Sequence, residues 1–373
     1  MLDVPRKQAL AYRIAEQGLH RSVADPYDLP LLDLGLQDSM RDAALLALAA
    51  RLPGPVTPES LVDDRRLALV WSHRGAPHYH RRTDLPTLTS ALIPVSDADA
   101  LARMLWQQKD IKAAAESPVT ILFTTARAIR KAVAKPMTKG AASTELTKLI
   151  PPTYSRWCRG CQATHVHEQL MRLSALHGGL RLEAGQTPAT LAPLEDRGRI
   201  STRPVPAAVS RVLTQYLRFN GPATPGDAAG FVGTTKSCLD ETWPAADVTE
   251  IKVDGRSAFV PTDRLSALEN PPDPAGVRLL PPLDPYTQGR DKATLVPDKG
   301  RAKEVWKILG SPGALLVDGE VLGVWRTKAA GKRLAFTISE FDPLRRADRE
   351  AAEEEAARGA AARGYSDISV SWA

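Results

Sequence analysis

The sequence lacks any apolar run long enough to cross a membrane as a helix. A membrane-spanning helix needs about 18 or more consecutive apolar residues, and the 373 residues contain no such run. The first residues, MLDVPRKQALAYRIAEQ, also lack the apolar segment and the small-residue cleavage site of a secretory signal peptide. We therefore expect a cytoplasmic protein that has no membrane partner.

Cysteine and aromatic residues are both scarce. The three cysteines are Cys158, Cys161 and Cys238, and so low and odd a number in a long chain argues against a disulfide framework. Aromatic residues make up only 5% of the chain, whereas 30 prolines are present. This composition predicts many short elements that are joined by turns.

Four common catalytic and nucleotide-binding motifs are absent. The sequence contains no GxxxxGK[ST], GxGxxG, HExxH or GxSxG pattern, so phosphate-loop, dinucleotide, zinc-peptidase and serine-hydrolase chemistries lose their usual support. The chain is basic, with a formal net charge of +6 and a pI of about 9.2. That charge is compatible with a nucleic-acid partner without establishing one.

Three stretches repeat the same succession of predicted elements. Helical periodicity and breakers in residues 5–72 predict three helices and then a strand, RLALVWS. Residues 119–190 predict three helices followed by the strand GLRLE, and residues 206–264 predict three helices followed by a hairpin that turns at Asp254-Gly255. Three helices followed by β structure are typical of a winged helix-turn-helix.

The C-terminal part of the chain predicts a different structure. Residues 277–344 contain β-rich runs, with a hairpin turn at Asp318-Gly319. The tail carries opposite charges at helical spacing, which predicts a solvated helix to which we assign no function. The predicted regions are 1–100, 101–200, 201–265, 270–344 and the charged tail 345–373.

The segment LGLQDS, at residues 34–39, places an amide, a carboxylate and a hydroxyl just before a predicted helix. Asp38 or Ser39 can cap that helix, because a short side-chain oxygen accepts the unpaired N–H groups of a first helical turn. Gln37 is not a favoured cap. If the segment is helical, the side chains of Gln37 and Ser39 diverge, whereas in an extended segment they share a face and Asp38 points away. The sequence leaves both alternatives open.

The segment WSHRGAPHYHRR, at residues 71–82, is rich in histidine and arginine. Gly75 permits a tight turn between two strands. His73, His78 and His80 invite a metal site, but no carboxylate or cysteine shares their spacing, so we predict a basic strand-turn-strand wing instead.

The segment WCRGCQATHVHE, at residues 157–168, contains four possible zinc ligands: Cys158, Cys161, His165 and His167. Zinc modules usually separate two ligand pairs by 12 or more residues, whereas these four lie close together, and the two histidines diverge if they belong to the predicted helix. A redox pair would need a thioredoxin-like strand before it. We favour a structural turn and predict no metal site, with zinc binding and redox chemistry as the alternatives.

Four segments, taken in order, resemble a known family: LGLQDSMRDAALLALAARL, WSHRGAPHYHRR, YLRFNGPATPGDAAGF, and VRLLPPLDPYTQGRDK followed by LVDGEVLGVW. From about residue 5 to residue 344 the chain resembles the winged-helix DNA-binding family that includes the AlkZ and YcaQ DNA glycosylases. This resemblance implies an α+β, mainly helical fold. In it, tandem winged helix-turn-helix repeats form a C-shaped array that holds double-stranded DNA, with a β-rich C-terminal part.

The resemblance also implies an activity and a catalytic segment. Enzymes of this family remove N-alkylated purines, and some unhook interstrand crosslinks. Their motif is a Gln, an aliphatic residue and then Gln or Asp. Gln37 matches the first position, whereas Asp38 and Ser39 depart from the second and third. The predicted function is a monofunctional DNA glycosylase with Gln37, Ser39 and Asp38 as candidate catalytic residues. The alternative is a non-catalytic winged-helix DNA-binding protein.

Basic residues spread along these motifs are the candidate DNA contacts. Trp71, Arg74, Gly75 and His78 match a Trp-x-x-Arg-Gly-x-x-His run of the family. The loop 279–292 is interpreted as a packed loop with a local cluster of Asp284, Tyr286, Arg290 and Asp291, or alternatively as a DNA contact. We expect a monomer without a cofactor. The predicted DNA-binding residues are Arg74, His78, Arg81, Arg82, Arg156, Arg159, Lys236, Arg290 and Lys292.

Overall fold

The structure is a computed structural model that describes residues 1–274, 276–307 and 309–373. It mixes helices and sheets, which confirms the α+β class. The helices are α1 Arg6–Glu16, α2 Ala43–Arg51, α3 Glu59–Val62, α4 Leu85–Ala91, α5 Asp97–Arg103, α6 Gln108–Ala113, α7 Pro118–Ala132, α8 Lys139–Thr147, α9 Glu168–His177, α10 Pro206–Asn220, α11 Pro225–Val232, α12 Lys236–Leu239, α13 Leu265–Glu269, α14 Lys292–Leu295, α15 Lys299–Val305 and α16 Arg346–Ala362. The strands are β1 Asp3–Val4, β2 Leu36–Gln37, β3 Leu67–Trp71, β4 Pro77–Arg81, β5 Met137–Thr138, β6 Ser155–Cys158, β7 Ala163–Val166, β8 Leu180–Leu182, β9 Thr190–Pro193, β10 Val248–Val253, β11 Arg256–Pro261, β12 Val277–Leu280, β13 Gly313–Val317, β14 Glu320–Ala330, β15 Arg333–Glu340 and β16 Asp367–Trp372.

The chain divides into two compact units. The first comprises residues 1–65, 214–227 and 245–373, and the second comprises residues 66–213 and 228–244. The division after residue 65 separates β3 from the three helices that precede it, although each of those elements forms where the sequence predicts it. Among the described residues, no helix combines the length and the apolar character that crossing a membrane requires.

The first unit contains a five-stranded sheet in the order β12-β13-β14-β15-β16. The strands β12 to β15 form antiparallel pairs, as the predicted turn at Asp318-Gly319 requires. A second sheet of this unit pairs β10 with β11 around the predicted Asp254-Gly255 turn and adds β1 in parallel to β10. Both hairpin predictions are therefore confirmed.

The prediction of a solvated C-terminal helix was wrong on one face. Helix α16 buries Ala352, Ala356 and Ala360 completely against the five-stranded sheet, where Phe336 packs. Small side chains four residues apart line one helix face and allow this close approach. The residues after α16 then form β16, which pairs in parallel with β15. The tail is therefore part of the core of the first unit.

The second unit contains the succession of elements predicted for residues 119–190, with additions. Helices α7 and α9 pack together, and Ser174 of α9 donates a hydrogen bond to the carbonyl of Leu122 in α7, at 3.2 Å. The predicted strand GLRLE forms as β8, which pairs antiparallel with β9, and β5 also pairs with β9. The hairpin of β6 and β7 is inserted between α8 and α9, where the sequence predicts only a turn and the start of a helix.

Candidate functional site

The residues that precede α2 form an extended strand and a turn. Strand β2 ends at Gln37, and α2 does not begin until Ala43. Leu36 is completely buried, and Gly35 has the positive φ that favours glycine. The extended alternative from the sequence is therefore the observed one.

Gln37 and Ser39 lie on one face of this segment and contact each other. The Nε2 atom of Gln37 donates a hydrogen bond to Ser39 Oγ at 2.9 Å. The Gln37 side chain is only 7% exposed, and its Oε1 atom is buried without a hydrogen-bond partner within the described part of the chain. A buried acceptor without a partner costs about 1–3 kcal/mol. The position of Oε1 therefore suits a donor from outside the protein, such as a water molecule.

Asp38 points away from this pair and caps α2, although it precedes the first residue of that helix in the sequence. Its Oδ1 atom accepts the backbone N–H of Ala44 at 3.1 Å. Burial raises the pKa of Asp38 above its ordinary value; the bond from Ala44 opposes this rise, and the charge of Asp42 adds to it. The structure thus gives Asp38 the capping role and places the hydrogen-bonded pair of Gln37 and Ser39 on the other face.

Replacing Asp38 with alanine is expected to destabilise the protein by about 1 kcal/mol, because the first turn of α2 loses its acceptor. Asp38→Asn keeps an acceptor oxygen and should recover most of this loss. Because burial raises the folded-state pKa of Asp38, its protonated carboxyl group contributes stability that is fully present below the unfolded value of 3.8 and is lost as pH rises through the folded value. Denaturant unfolding across that interval should therefore show a weaker pH dependence for Asp38→Asn than for wild type. Equal stability of Asp38→Ala and wild type would contradict the cap.

The histidine-rich segment forms the predicted strand-turn-strand, but it buries its histidines. Ser72 Oγ lies 2.9 Å from His78 Nδ1 and 3.0 Å from His80 Nε2. Burial lowers the pKa of His73 and of His78 well below the ordinary histidine value, so both are neutral at pH 7. His78 is 3% exposed. The structure therefore argues against the DNA contact predicted for His78, whose side chain instead fixes this turn.

The arginines of the same segment are bound to the protein around them. Arg74, with a left-handed φ of 57°, donates to the carbonyl of Phe231 and lies over its ring, with 4.8 Å from guanidinium carbon to ring centre. Arg81 pairs with Asp84 at 3.4 Å, and Arg82 Nε donates to the carbonyl of Leu67 at 3.1 Å. Each keeps a partly exposed side chain. Their DNA contacts stay predictions.

The inserted hairpin brings together three of the four potential zinc ligands. The ligand atoms of Cys158, Cys161 and His165 all lie within 4.8 Å of one another. His167 is separate: it is buried, and its Nδ1 atom faces Asp110 at 3.8 Å. The predicted helix begins only at Glu168, so the argument that the two histidines diverge on a helix was wrong in its premise.

The other basic residues that are predicted to contact DNA differ in how much of their side chains is exposed. Arg156 and Arg159 of the hairpin, Lys236 at the start of α12, and Lys292 are exposed. The Nζ atom of Lys292 lies 4.9 Å from the ring centre of Trp306. Arg290 is half-buried, and its backbone N–H donates to Tyr216 Oη at 3.1 Å.

The loop 279–292 is held by contacts that the sequence did not predict. Asp284 accepts the N–H of Tyr286 at 2.9 Å, as a local cluster would require. It also forms a completely buried ion pair with Arg51 of α2, at 2.8 Å. Asp291 pairs with Arg13 at 2.5 Å. The only signal for the buried pair is an arginine at the end of an otherwise Ala/Leu-rich helix, and nothing in the sequence points to its partner. The loop is therefore packed, but Arg290 and Asp291 are held by Tyr216 and Arg13 rather than by a local cluster. DNA contact through Arg290 and Lys292 stays a prediction.

Comparison with known proteins identifies the family. The family described as "DNA glycosylase AlkZ-like" matches residues 31–362. A curated relative from Streptomyces sahachiroi, an "Interstrand DNA cross-link repair glycosylase", is 32% identical over 172 residues, which are 44% of this chain and 45% of the relative. The aligned part thus spans less than half of that relative. The solved structure of the Streptomyces sahachiroi DNA glycosylase AlkZ shares the fold, with a TM-score of 0.76 over 100% of both chains at 22% identity. Since the family match extends over most of its residues, the chain belongs to the AlkZ-like DNA glycosylase family.

Proposed function

We propose that this protein is a monofunctional DNA glycosylase that hydrolyses the N-glycosidic bond of N-alkylated purines, including bulky adducts or interstrand crosslinks. The observation that carries this proposal is the pair of Gln37 and Ser39, in which the Gln37 amide is held by one hydrogen bond and its buried Oε1 atom has no partner among the described residues. Membership of the AlkZ-like family supports the same chemistry.

The reaction requires little acid catalysis from the protein. An N-alkylated purine carries a positive charge, so the electrons of the breaking C1′–N bond neutralise the departing base. The sugar passes through an oxocarbenium-like state, the oxygen of a water molecule bonds to C1′, and the excess proton leaves to solvent. The protein has to position the water and to stabilise positive charge on the sugar.

Each residue of the segment has a distinct role in this proposal. The Oε1 atom of Gln37 accepts a hydrogen bond from the attacking water, because an amide carbonyl is a neutral acceptor. Ser39 accepts the N–H of the same amide and thereby orients it. Asp38 fixes the start of α2, which keeps the two other side chains on the opposite face.

We further propose that the protein binds double-stranded DNA as a monomer in the cytoplasm, through tandem winged helices that form a C-shaped array. The exposed cations Arg156, Arg159, Lys236 and Lys292 are proposed to contact phosphate. The curated relative is an interstrand crosslink repair glycosylase by its name. We propose crosslinks as substrates of this chain as well, because the chain is similar to that relative.

The proposal predicts release of free 7-methylguanine from duplex DNA that carries N7-methylguanine. The released base is quantified over time by mass spectrometry, with the same DNA without protein as the measure of spontaneous loss. Release faster than the spontaneous rate is the expected result. The absence of accelerated release from this DNA and from DNA with a bulkier N7 adduct would overturn the proposal.

The alternative function is non-catalytic DNA binding, and one feature favours it. Ser39 stands where the family resemblance implies Gln or Asp, so the segment lacks a second amide or carboxylate toward the water. This alternative predicts DNA binding that weakens steeply with salt concentration, as expected for several phosphate contacts, without base release. Binding and base release measured on the same duplex distinguish the two functions.

A further inference from the structure

The hairpin of β6 and β7 is an exposed insertion that has little core of its own. Its base is tied to the second unit, because the N–H of Val166 donates to Thr147 Oγ1 at 3.0 Å and the N–H of His167 donates to the carbonyl of Tyr154 at 3.1 Å. Toward the tip the chain is exposed, and Trp157 is 61% exposed. An isolated two-stranded hairpin is marginally stable in water. The tip therefore needs a further source of stability.

The register of the hairpin explains why three ligand side chains meet. Cys158 lies opposite Ala163, and His165 lies two residues further along the same strand. Since alternate residues share a face, Cys158 and His165 are diagonal neighbours on one face of the hairpin. The turn 159–162 then brings back Cys161. It is closed by a 2.7 Å hydrogen bond from Gln162 Nε2 to the carbonyl of Arg159, with Gln162 at a left-handed φ of 50°.

We propose that Cys158, Cys161 and His165 form a zinc site that staples the tip of this hairpin. Two thiolates and one imidazole are the ligand types that Zn²⁺ prefers, and tetrahedral coordination at the usual bond lengths separates ligand atoms by about 3.3–3.8 Å. The three ligand atoms already lie within 4.8 Å of one another. Closure onto the ion therefore requires side-chain movements of roughly 1 Å.

The hydrogen bond of His165 leaves the correct nitrogen for the metal. Its Nδ1 atom lies 2.9 Å from the carbonyl oxygen of Val166, and a carbonyl can only accept, so Nδ1 carries the proton. In the neutral imidazole, which is the form that binds a metal, Nε2 is then the unprotonated nitrogen. Zinc-binding histidines commonly donate their second ring N–H to a backbone carbonyl, which fixes both the tautomer and the orientation of the ring.

A water molecule is the fourth ligand of the proposed zinc ion. Within the described part of the chain, no fourth Cys, His, Asp or Glu joins the cluster. His167 is buried against Asp110. Glu168 is already held by Lys139 and by Arg172, each at 2.6 Å. A water molecule therefore completes the tetrahedron, and the ion orders the exposed tip that carries Arg156 and Arg159.

Cobalt titration of the full chain tests the site. Chain purified under reducing conditions and freed of metal by a chelator is titrated with Co²⁺, whose thiolate charge-transfer and tetrahedral d–d absorption report the ligands directly. We expect one equivalent to give both signals and Zn²⁺ to bleach them. Cys161→Ser and His165→Ala should each weaken binding by roughly 100-fold or more.

Cys238→Ser is the matched control, because Cys238 lies in α12 outside this cluster. It should keep the full cobalt spectrum, and zinc should protect two of the three thiols from a thiol reagent in wild type. The proposal is overturned if reduced wild type gives no tetrahedral cobalt spectrum, if the spectrum survives Cys161→Ser, or if Cys238→Ser abolishes it. Isolation of Cys158 and Cys161 as a disulfide that forms equally fast with and without zinc would also overturn it and assign the pair to redox chemistry.

Discussion

Gln37→Ala is expected to lower the rate of 7-methylguanine release from N7-methylated duplex DNA by about 10²-fold, the scale observed when one preorganised hydrogen-bonding group is removed from an active site. The loss follows from the buried Oε1 atom, which has no protein partner in the described chain and is proposed to orient the attacking water. Single-turnover release, with protein in excess over DNA, measures the chemical step directly.

Two further variants serve as comparisons for this prediction. Gln186→Ala removes the same side chain at an exposed position and should release base at the wild-type rate. Ser39→Ala removes the acceptor that orients the Gln37 amide and should give a smaller loss than Gln37→Ala, since the water-binding atom is retained. DNA affinity should stay constant in all three variants. A Gln37→Ala protein that keeps the wild-type rate would remove Gln37 from the reaction while leaving the enzymatic activity established.

The backbone of the candidate site was not predictable from local sequence. The segment LGLQDS precedes an Ala/Leu-rich helix, so a helical and an extended start were equally consistent with its pattern. The extended form depends on tertiary burial, since Leu36 is completely buried. In an extended segment, alternate side chains lie on the same face. Gln37 and Ser39 therefore share one face, whereas Asp38 lies on the other face and caps α2. The sequence therefore predicted which residues could form the candidate site, whereas packing decided which of them face the same way.

Non-local pairing accounts for what the sequence analysis missed. The Asp254-Gly255 and Asp318-Gly319 hairpins were predicted because two adjacent residues determine such turns. The parallel pairing of β15 with β16 has no comparable local signal, so the alanine face of α16 was interpreted as solvated. The same limit applies to the cluster of Cys158, Cys161 and His165, which forms because α9 begins after His165 and leaves it on a strand.

Arg51→Ala is expected to cause the largest loss of stability, about 3–5 kcal/mol in the free energy of unfolding, because it leaves the buried carboxylate of Asp284 without its partner. Both side chains of this ion pair are completely buried, and the guanidinium makes two 2.8 Å bonds to the two carboxylate oxygens. Its other N–H groups bind the backbone and side chain of Gln17 and the carbonyl of Ala47. Guanidinium chloride unfolding of wild type and variant, followed by fluorescence, measures the loss.

Two comparisons distinguish the loss of stability caused by breaking the buried ion pair from the loss caused by removing any arginine side chain. Arg41→Ala removes a side chain that is 91% exposed and lies 4.0 Å from Asp42, so its effect should be below about 1 kcal/mol. Replacing both partners, as Arg51→Met with Asp284→Leu, removes both charges together and should be less destabilising than Arg51→Ala. If Arg51→Ala and Arg41→Ala lose the same stability, the buried pair does not hold the loop 279–292. The loss of stability matters for the candidate site, because Arg51 lies at the end of α2, whose first turn Asp38 caps. Breaking the ion pair removes a contact that holds this end of α2.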